Sequence, residues 1–233
     1  MQLHADFEET VWYPGAARGG RTWIPSPLPG VERLMLDRDG DEVAVATSLV
    51  RYAPEATFTP HSHALGEEYM VLEGEFGDEH GRYPKGTYVR NPAGTAHSPF
   101  ATAGCVIWVK LRQFHPDDQT QFSVQPDLTP LAEGQDQQDL HSYTAPESEV
   151  GELTERVAIL RGAPGERIVM PADYNLQEVF VLHGCVSWQW EETIELERWG
   201  WLRLASGEPL RLTVLEPAVL LWKTRPQYTA GRE

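Results

Sequence analysis

Residues 51–74 read RYAPEATFTPHSHALGEEYMVLEG, and residues 161–184 read RGAPGERIVMPADYNLQEVFVLHG. Set side by side without a gap, they place Ala53-Pro54 on Ala163-Pro164, Glu68 on Glu178, Val71-Leu72 on Val181-Leu182 and Gly74 on Gly184, a constant offset of 110 residues. Further on, Gly86 falls near Gly200, and VKLR (109–112) resembles WKTR (222–225). Self-similarity at a fixed period means that one structural unit occurs twice.

Each copy reads as β-structure. Short runs rich in Val, Thr, Tyr, Trp and Leu recur between Gly, Pro, Asp and Asn clusters: EVAVATSLVRY (42–52), EEYMVLEGEF (67–76), GTYVRN (86–91) and CVIWVKLRQF (105–114). No helical period is sustained, and eighteen prolines with twenty glycines suit many tight turns. An all-β sandwich or barrel follows. The polar segment 115–139 has few apolar anchors and reads as a connection. The expected plan is a first domain over 1–115, a linker over 116–139 and a second domain over 140–233.

The chain has 233 residues and a net charge of −16. Its 41% hydrophobic fraction is that of a globular protein. The acidic excess argues against nucleic acid and against an anionic membrane surface, both of which need clustered Lys and Arg. No apolar stretch approaches the ~18 residues of a spanning helix. The first residues, MQLHADFEETVWYPG, have neither the basic nor the apolar part of a signal peptide. Cys105 and Cys185 read as buried, reduced thiols. A cytoplasmic location is expected.

The first copy carries the chemistry. His61-Ser62-His63 is followed by Glu67, and Pro92-Ala93-Gly94-Thr95-Ala96-His97 lies further on. Two histidines at i and i+2 of a strand share one face, ~6.6 Å apart, so both imidazoles can reach one ion. Ala64-Leu65-Gly66 can turn the chain so that Glu67 opens the next, paired strand. A Pro-Ala-Gly turn then delivers His97 from another strand. Three neutral imidazoles and one carboxylate suit a divalent first-row metal such as zinc, iron, nickel or manganese, and ligand identity alone does not choose among them. Parity sets Glu67 and Tyr69 on the ligand side, where Tyr69 either lines the pocket or fills the core. Glu68, Met70 and Leu72 point the other way. The same alternation puts Ile107, Val109 and Leu111 on one face and Lys110 with Arg112 on the other.

H-S-H followed by G-E-E-Y-M-V-L-E-G, and then G-T-Y-V-R-N-P-A-G-T-A-H, resemble the two motifs of the cupin superfamily. Residues 48–114 resemble the cupin-like domain of ChrR-type anti-sigma factors, and related text occurs in acetylacetone-cleaving dioxygenases. The resemblance implies two tandem cupin domains, each a double-stranded β-helix or jelly roll. It also implies zinc held at positions matching His61, His63, Glu67 and His97. Two features depart from it. ChrR-type proteins carry a separate N-terminal zinc-binding helical domain, for which this chain shows neither paired cysteines nor a helical segment. Where the common motif continues to an Asn, this chain has Ala101.

In the second copy His61, His63 and Glu67 become Pro171, Asp173 and Gln177, and His97 falls near Arg211. That copy is expected to bind no metal. Its Trp188, Trp190, Trp199 and Trp201 can form one aromatic face, for packing or for a small ligand. His80 reads as an exposed turn residue, and His4, His115, His141 and His183 are isolated. Two functions fit: a stress- or ligand-responsive regulatory protein, or a mononuclear dioxygenase acting on a small diketone or hydroxyketone. The expected partners are a small molecule and a regulatory protein, with the chain as monomer or homodimer.

Overall fold

The computed structural model describes residues 9–15, 20–40, 44–145, 154–172, 176–205 and 207–225. These contain strands and turns and no helix, so none long and apolar enough to cross a membrane. The chain divides into two compact units; among the described residues the first comprises 20–126 and the second 9–15 with 127–225.

In the first unit one antiparallel wall runs, strand by strand, through Phe122–Val124, Tyr88–Asn91, Glu67–Asp78, Cys105–Leu111, Val45–Tyr52, Val31–Asp39 and Ile24–Pro25. The Glu67–Asp78 strand belongs to two layers. Its first half pairs with Tyr88–Asn91 and Cys105–Leu111, and its end pairs with Gly81–Pro84 and meets Phe100 at Gly77. The bend falls at Gly74, where φ is 70° and an added Cβ would lie 2.2 Å from the Gly104 carbonyl oxygen. Only glycine fits there. Alternation turns Tyr69 and Val71 of this strand inward, with Ile107 and Val109 from the neighbouring strand, into one apolar core.

The second unit repeats the order: Val11–Tyr13, Trp201–Leu204, Leu176–Gln189, Leu210–Arg225, Thr154–Gly162 and Gln135–Thr144. Gly184 has φ 77°, and an added Cβ would lie 2.1 Å from the Pro217 carbonyl oxygen. The repeat read from the sequence is therefore the same backbone bend made twice. The domain limits differ from the expected ones. The stretch 116–139 is not a bare connection: Phe122–Val124 completes the wall of the first unit, and Gln135 opens a long strand of the second. At the corresponding edge of the second unit the outer strand is Val11–Tyr13, which pairs with Trp201–Leu204. Polar composition hid these strands because edge strands bury little.

The second unit's interior is packed with aliphatic side chains, among them Val179, Val181, Leu202, Leu204, Leu212 and Leu220. Its tryptophans do not form one face. Trp188 is in the core with Trp12 edge-on at 5.8 Å, and Trp190 stacks on it at 5.1 Å while 43% exposed. Trp201 has the opposite parity to core residue Leu202 and donates its Nε1–H to Glu178 at 3.1 Å. Trp199 occupies a left-handed turn position, φ 67°, under the Arg198 guanidinium.

Candidate metal centre

Two short strands, His61–Ser62 and Ala96–His97, pair with each other and set His61 directly opposite His97. The strand of Glu67 is thus not the partner of the H-x-H segment, as the sequence suggested; the strand of His97 is. His63 follows the short strand, and its backbone is clamped to the Pro92–Thr95 turn: His63 N–H donates to Thr95 O at 2.8 Å, and Gly94 N–H to His63 O at 2.9 Å. Gly94 has φ 86° in this turn. The three rings converge, with centroids 5.1 Å apart for His61 and His63, 4.9 Å for His61 and His97, and 4.7 Å for His63 and His97. One ligand nitrogen from each lies within 4.8 Å of the others.

Glu67, at the start of its strand, lies against two of the three rings, those of His63 and His97. Its Oε2 lies 3.5 Å from His63 Nε2 and 3.5 Å from His97 Nε2. Two donors bound at about 2.1 Å to one ion are about 3.0–3.4 Å apart, so the spacing is that of a slightly open coordination shell. His63 Nε2, His97 Nε2 and Glu67 Oε2 are buried and have no hydrogen-bond partner. Each orphaned group costs about 1–3 kcal/mol, a cost that a shared cation offsets. The donor set and its orphaned atoms fit a divalent transition ion.

The remaining hydrogen bonds fix which nitrogen faces the cluster. His61 Nδ1 donates to Thr59 O at 3.2 Å, and His97 Nδ1 to Asp78 Oδ2 at 3.1 Å, leaving each Nε2 its lone pair. Asp78 is held in turn: its Oδ1 accepts from the backbone N–H of His80 at 2.8 Å and of Gly81 at 3.1 Å. Burial draws the His97 pKa down, but the Asp78 hydrogen bond and the nearby carboxylates leave it above its ordinary value. Burial, then His97 and His61, press His63 down to about 3, so its imidazole is neutral. Burial also lowers His61. Burial lifts Glu67 to about 7 against the pull of His97 and of a hydrogen bond from Asn91, whose own Oδ1 accepts from Gln121 at 3.2 Å.

A cavity of about 380 Å³ contains His61, His63, Glu67 and His97 in its lining. Apolar side chains such as Val31, Val50, Phe58 and Leu111 form much of its wall. Tyr69 faces inward as parity requires but is not on that wall. It packs edge-on to Phe76 at 5.1 Å and Tyr83 at 6.0 Å, so of its two expected roles it takes the core one. The tyrosine that does line the cavity is Tyr52, edge-on to Phe58. Glu68 lies on the opposite face, fully buried, accepting from the Tyr88 hydroxyl, with Arg90 at 3.9 Å. Lys110 shares that orientation and donates to Thr47 at 2.9 Å.

Arg112 does not follow Lys110 as expected. Its φ is 62°, which breaks the alternation, and its side chain joins the cavity lining. Asp78, Asn91, Gln121 and Tyr52 were not foreseen; of these only Asp78, ahead of the Glu-His-Gly turn, carries a recognisable turn signal.

In the second unit Gln177 occupies the position aligned with Glu67 and is fully engaged. Its Nε2 donates to the carbonyls of Pro171 and Glu208, both at 2.9 Å, and its Oε1 accepts from Trp222 at 3.1 Å. Arg211 is exposed. Asp173 and His4 lie outside the described residues.

Residues 17–115 match the family model described as the ChrR Cupin-like domain. No curated protein is significantly similar in sequence. In fold the chain is similar to a candidate dioxygenase from Nostoc punctiforme (TM-score 0.68, 13% identity, 97% of this chain and 85% of that one). It is also similar to the pirin YhhW of Escherichia coli, solved with nickel(II) (0.65, 15%, 94% and 100%). A third similar structure is a Cupin 2 conserved barrel domain protein from Leptotrichia buccalis (0.58, 14%, 88% and 92%). Residues 17–115 are thus similar to the ChrR Cupin-like domain, and the fold of the chain is that shared by these solved structures.

Proposed function

We propose that the first unit holds one divalent transition ion through His61, His63, Glu67 and His97 and admits a small molecule to it, and that the second unit holds none. The observation that carries this reading is the convergence of three buried, orphaned donor atoms in the lining of a cavity. A purely structural zinc site is closed; this one lies in a cavity of the size that takes small ligands. We assign the protein a ligand-responsive regulatory role, with zinc as the ion and a regulatory protein as the downstream partner. The ion supplies Lewis acidity and fixes the orientation of the ligand. Ligand entry is then sensed by the short paired strands that bear His61 and His97.

A second reading, a mononuclear dioxygenase for a small diketone or hydroxyketone, is favoured by the apolar wall beside the candidate ligands and by the similarity in fold to a candidate dioxygenase. No carboxylate other than Glu67 lines the cavity, so the chain's own residues bind and orient rather than shuttle protons. Elemental analysis after anaerobic purification, followed by oxygen-electrode measurements on iron(II)-loaded protein with acetylacetone, separates the two. Zinc with no oxygen uptake upholds the regulatory role, and steady uptake establishes the dioxygenase.

A further inference from the structure

Two arginines line the same cavity, and neither guanidinium has a salt bridge, hydrogen bond or ring contact among the described residues. Arg33 has the parity of Val31 on its strand and lies opposite Val50, both of which belong to the inward-facing core. Arg112 reaches the cavity through its left-handed backbone, φ 62°, a conformation disfavoured for a residue with a Cβ. Its N–H donates to Gly66 O at 2.9 Å, and the preceding Leu111 is the register partner of Glu67. The strained turn therefore sets Arg112 beside the candidate ligands rather than on the outer face that simple alternation would give it.

The charge balance gives these arginines a purpose. The lining holds one carboxylate, Glu67, against two guanidiniums. A divalent ion leaves the cavity with an excess of positive charge in a protein whose net charge is −16. Tyr52, on the same wall, feels both ends: burial raises its pKa, Glu67 raises it further, and Arg33 lowers it. Half-buried, unpaired guanidiniums on an apolar wall are poised for a planar carboxylate, which they bind in bidentate fashion.

We propose that Arg33 and Arg112 are specificity-determining residues that select a small organic anion, one that ligates the ion through oxygen and presents a carboxylate to the guanidiniums. This deepens the metal-and-ligand reading above and rests on it for the ion end of the ligand only.

The test uses a matched pair, acetylacetone and 2,4-dioxopentanoate, which share a diketone and differ by a carboxylate in place of a methyl group. Both are titrated calorimetrically into the full chain, zinc-loaded and zinc-free, with zinc content measured on the same samples. The expected result is 2,4-dioxopentanoate binding about tenfold or more tightly than acetylacetone, the effect of one charge-assisted contact. R33Q and R112Q each reduce that ratio about tenfold, whereas R33K retains part of it. Acetylacetone binding to the same samples shows that a variant is folded. A ratio near one in wild type, a ratio that neither substitution changes, or no binding of either ligand overturns the proposal. A chain that takes up no zinc overturns the metal reading instead, and the ratio in the zinc-free protein then decides the arginines alone.

Discussion

Asp78→Asn separates ligand orientation from fold stability. In the wild type Asp78 Oδ2 accepts the Nδ1–H of His97 at 3.1 Å, and Oδ1 accepts the His80 and Gly81 N–H groups at 2.8 and 3.1 Å. Asparagine keeps an oxygen for the two backbone donors, so the turn survives. Its amide then faces His97 Nδ1 with a donor. The imidazole must move its proton to Nε2, the atom 3.5 Å from Glu67 Oε2. That atom gains a hydrogen-bond acceptor in the metal-free protein and loses the lone pair a metal needs. Removing such an outer partner costs about 10–100-fold in metal affinity, or about 1.4–2.7 kcal/mol. The metal-free stability should change by less than about 0.5 kcal/mol. Asp78→Ala should lose both, because it also strips the two backbone donors of their acceptor. Zinc affinity is read by competition with a chromophoric chelator at pH 7.5, and stability by urea unfolding with chelator present. An Asn variant that binds zinc within twofold of wild type refutes the tautomer argument, as does one destabilised as much as the alanine variant.

Burial pushes the Cys105 thiol up to about 12, so Cys105 in native protein at pH 8, read by peptide mapping apart from the partly exposed Cys185, should react with iodoacetamide at less than about 1% of its urea-unfolded rate. Because the folded value lies above the unfolded one, the associated stability is intact below about pH 9 and lost as pH rises toward 12, which alkaline unfolding curves will show. Gly184→Ala should cost about 3 kcal/mol or more, since the Cβ meets the Pro217 carbonyl at 2.1 Å, whereas Gly165→Ala, at φ 90° with nothing within 4 Å, should cost about 1 kcal/mol. Equal denaturation midpoints for the two would contradict the close-approach account. Gln177→Ala should leave the zinc content unchanged but lower stability by about 1–3 kcal/mol in urea unfolding, because the Pro171 and Glu208 carbonyls and the Trp222 indole lose their partner.

The paired-unit plan was legible because a backbone constraint, the glycine bend at Gly74 and Gly184, forces the same residue at the same place twice. The candidate ligands were legible because a shared ion needs its donors at fixed spacings and turn residues to aim them. Asp78 was not, since it meets His97 only after its strand has bent into the second layer. Arg112 was misplaced because period-two alternation assumes extended backbone, and one left-handed residue reverses it. The tryptophans were grouped for a similar reason: three register shifts along Leu176–Gln189 break any parity counted through that strand. The segment 116–139 was read as linker from its polarity, yet Gln121 within it holds Asn91 behind Glu67.

The metal-to-protein ratio of the full chain, measured by elemental analysis after zinc loading and gel filtration, tests the central claim most directly. The account predicts one ion per chain in wild type and almost none in His63→Ala or His97→Ala. A ratio near two, or a full ion retained by either variant, would contradict it.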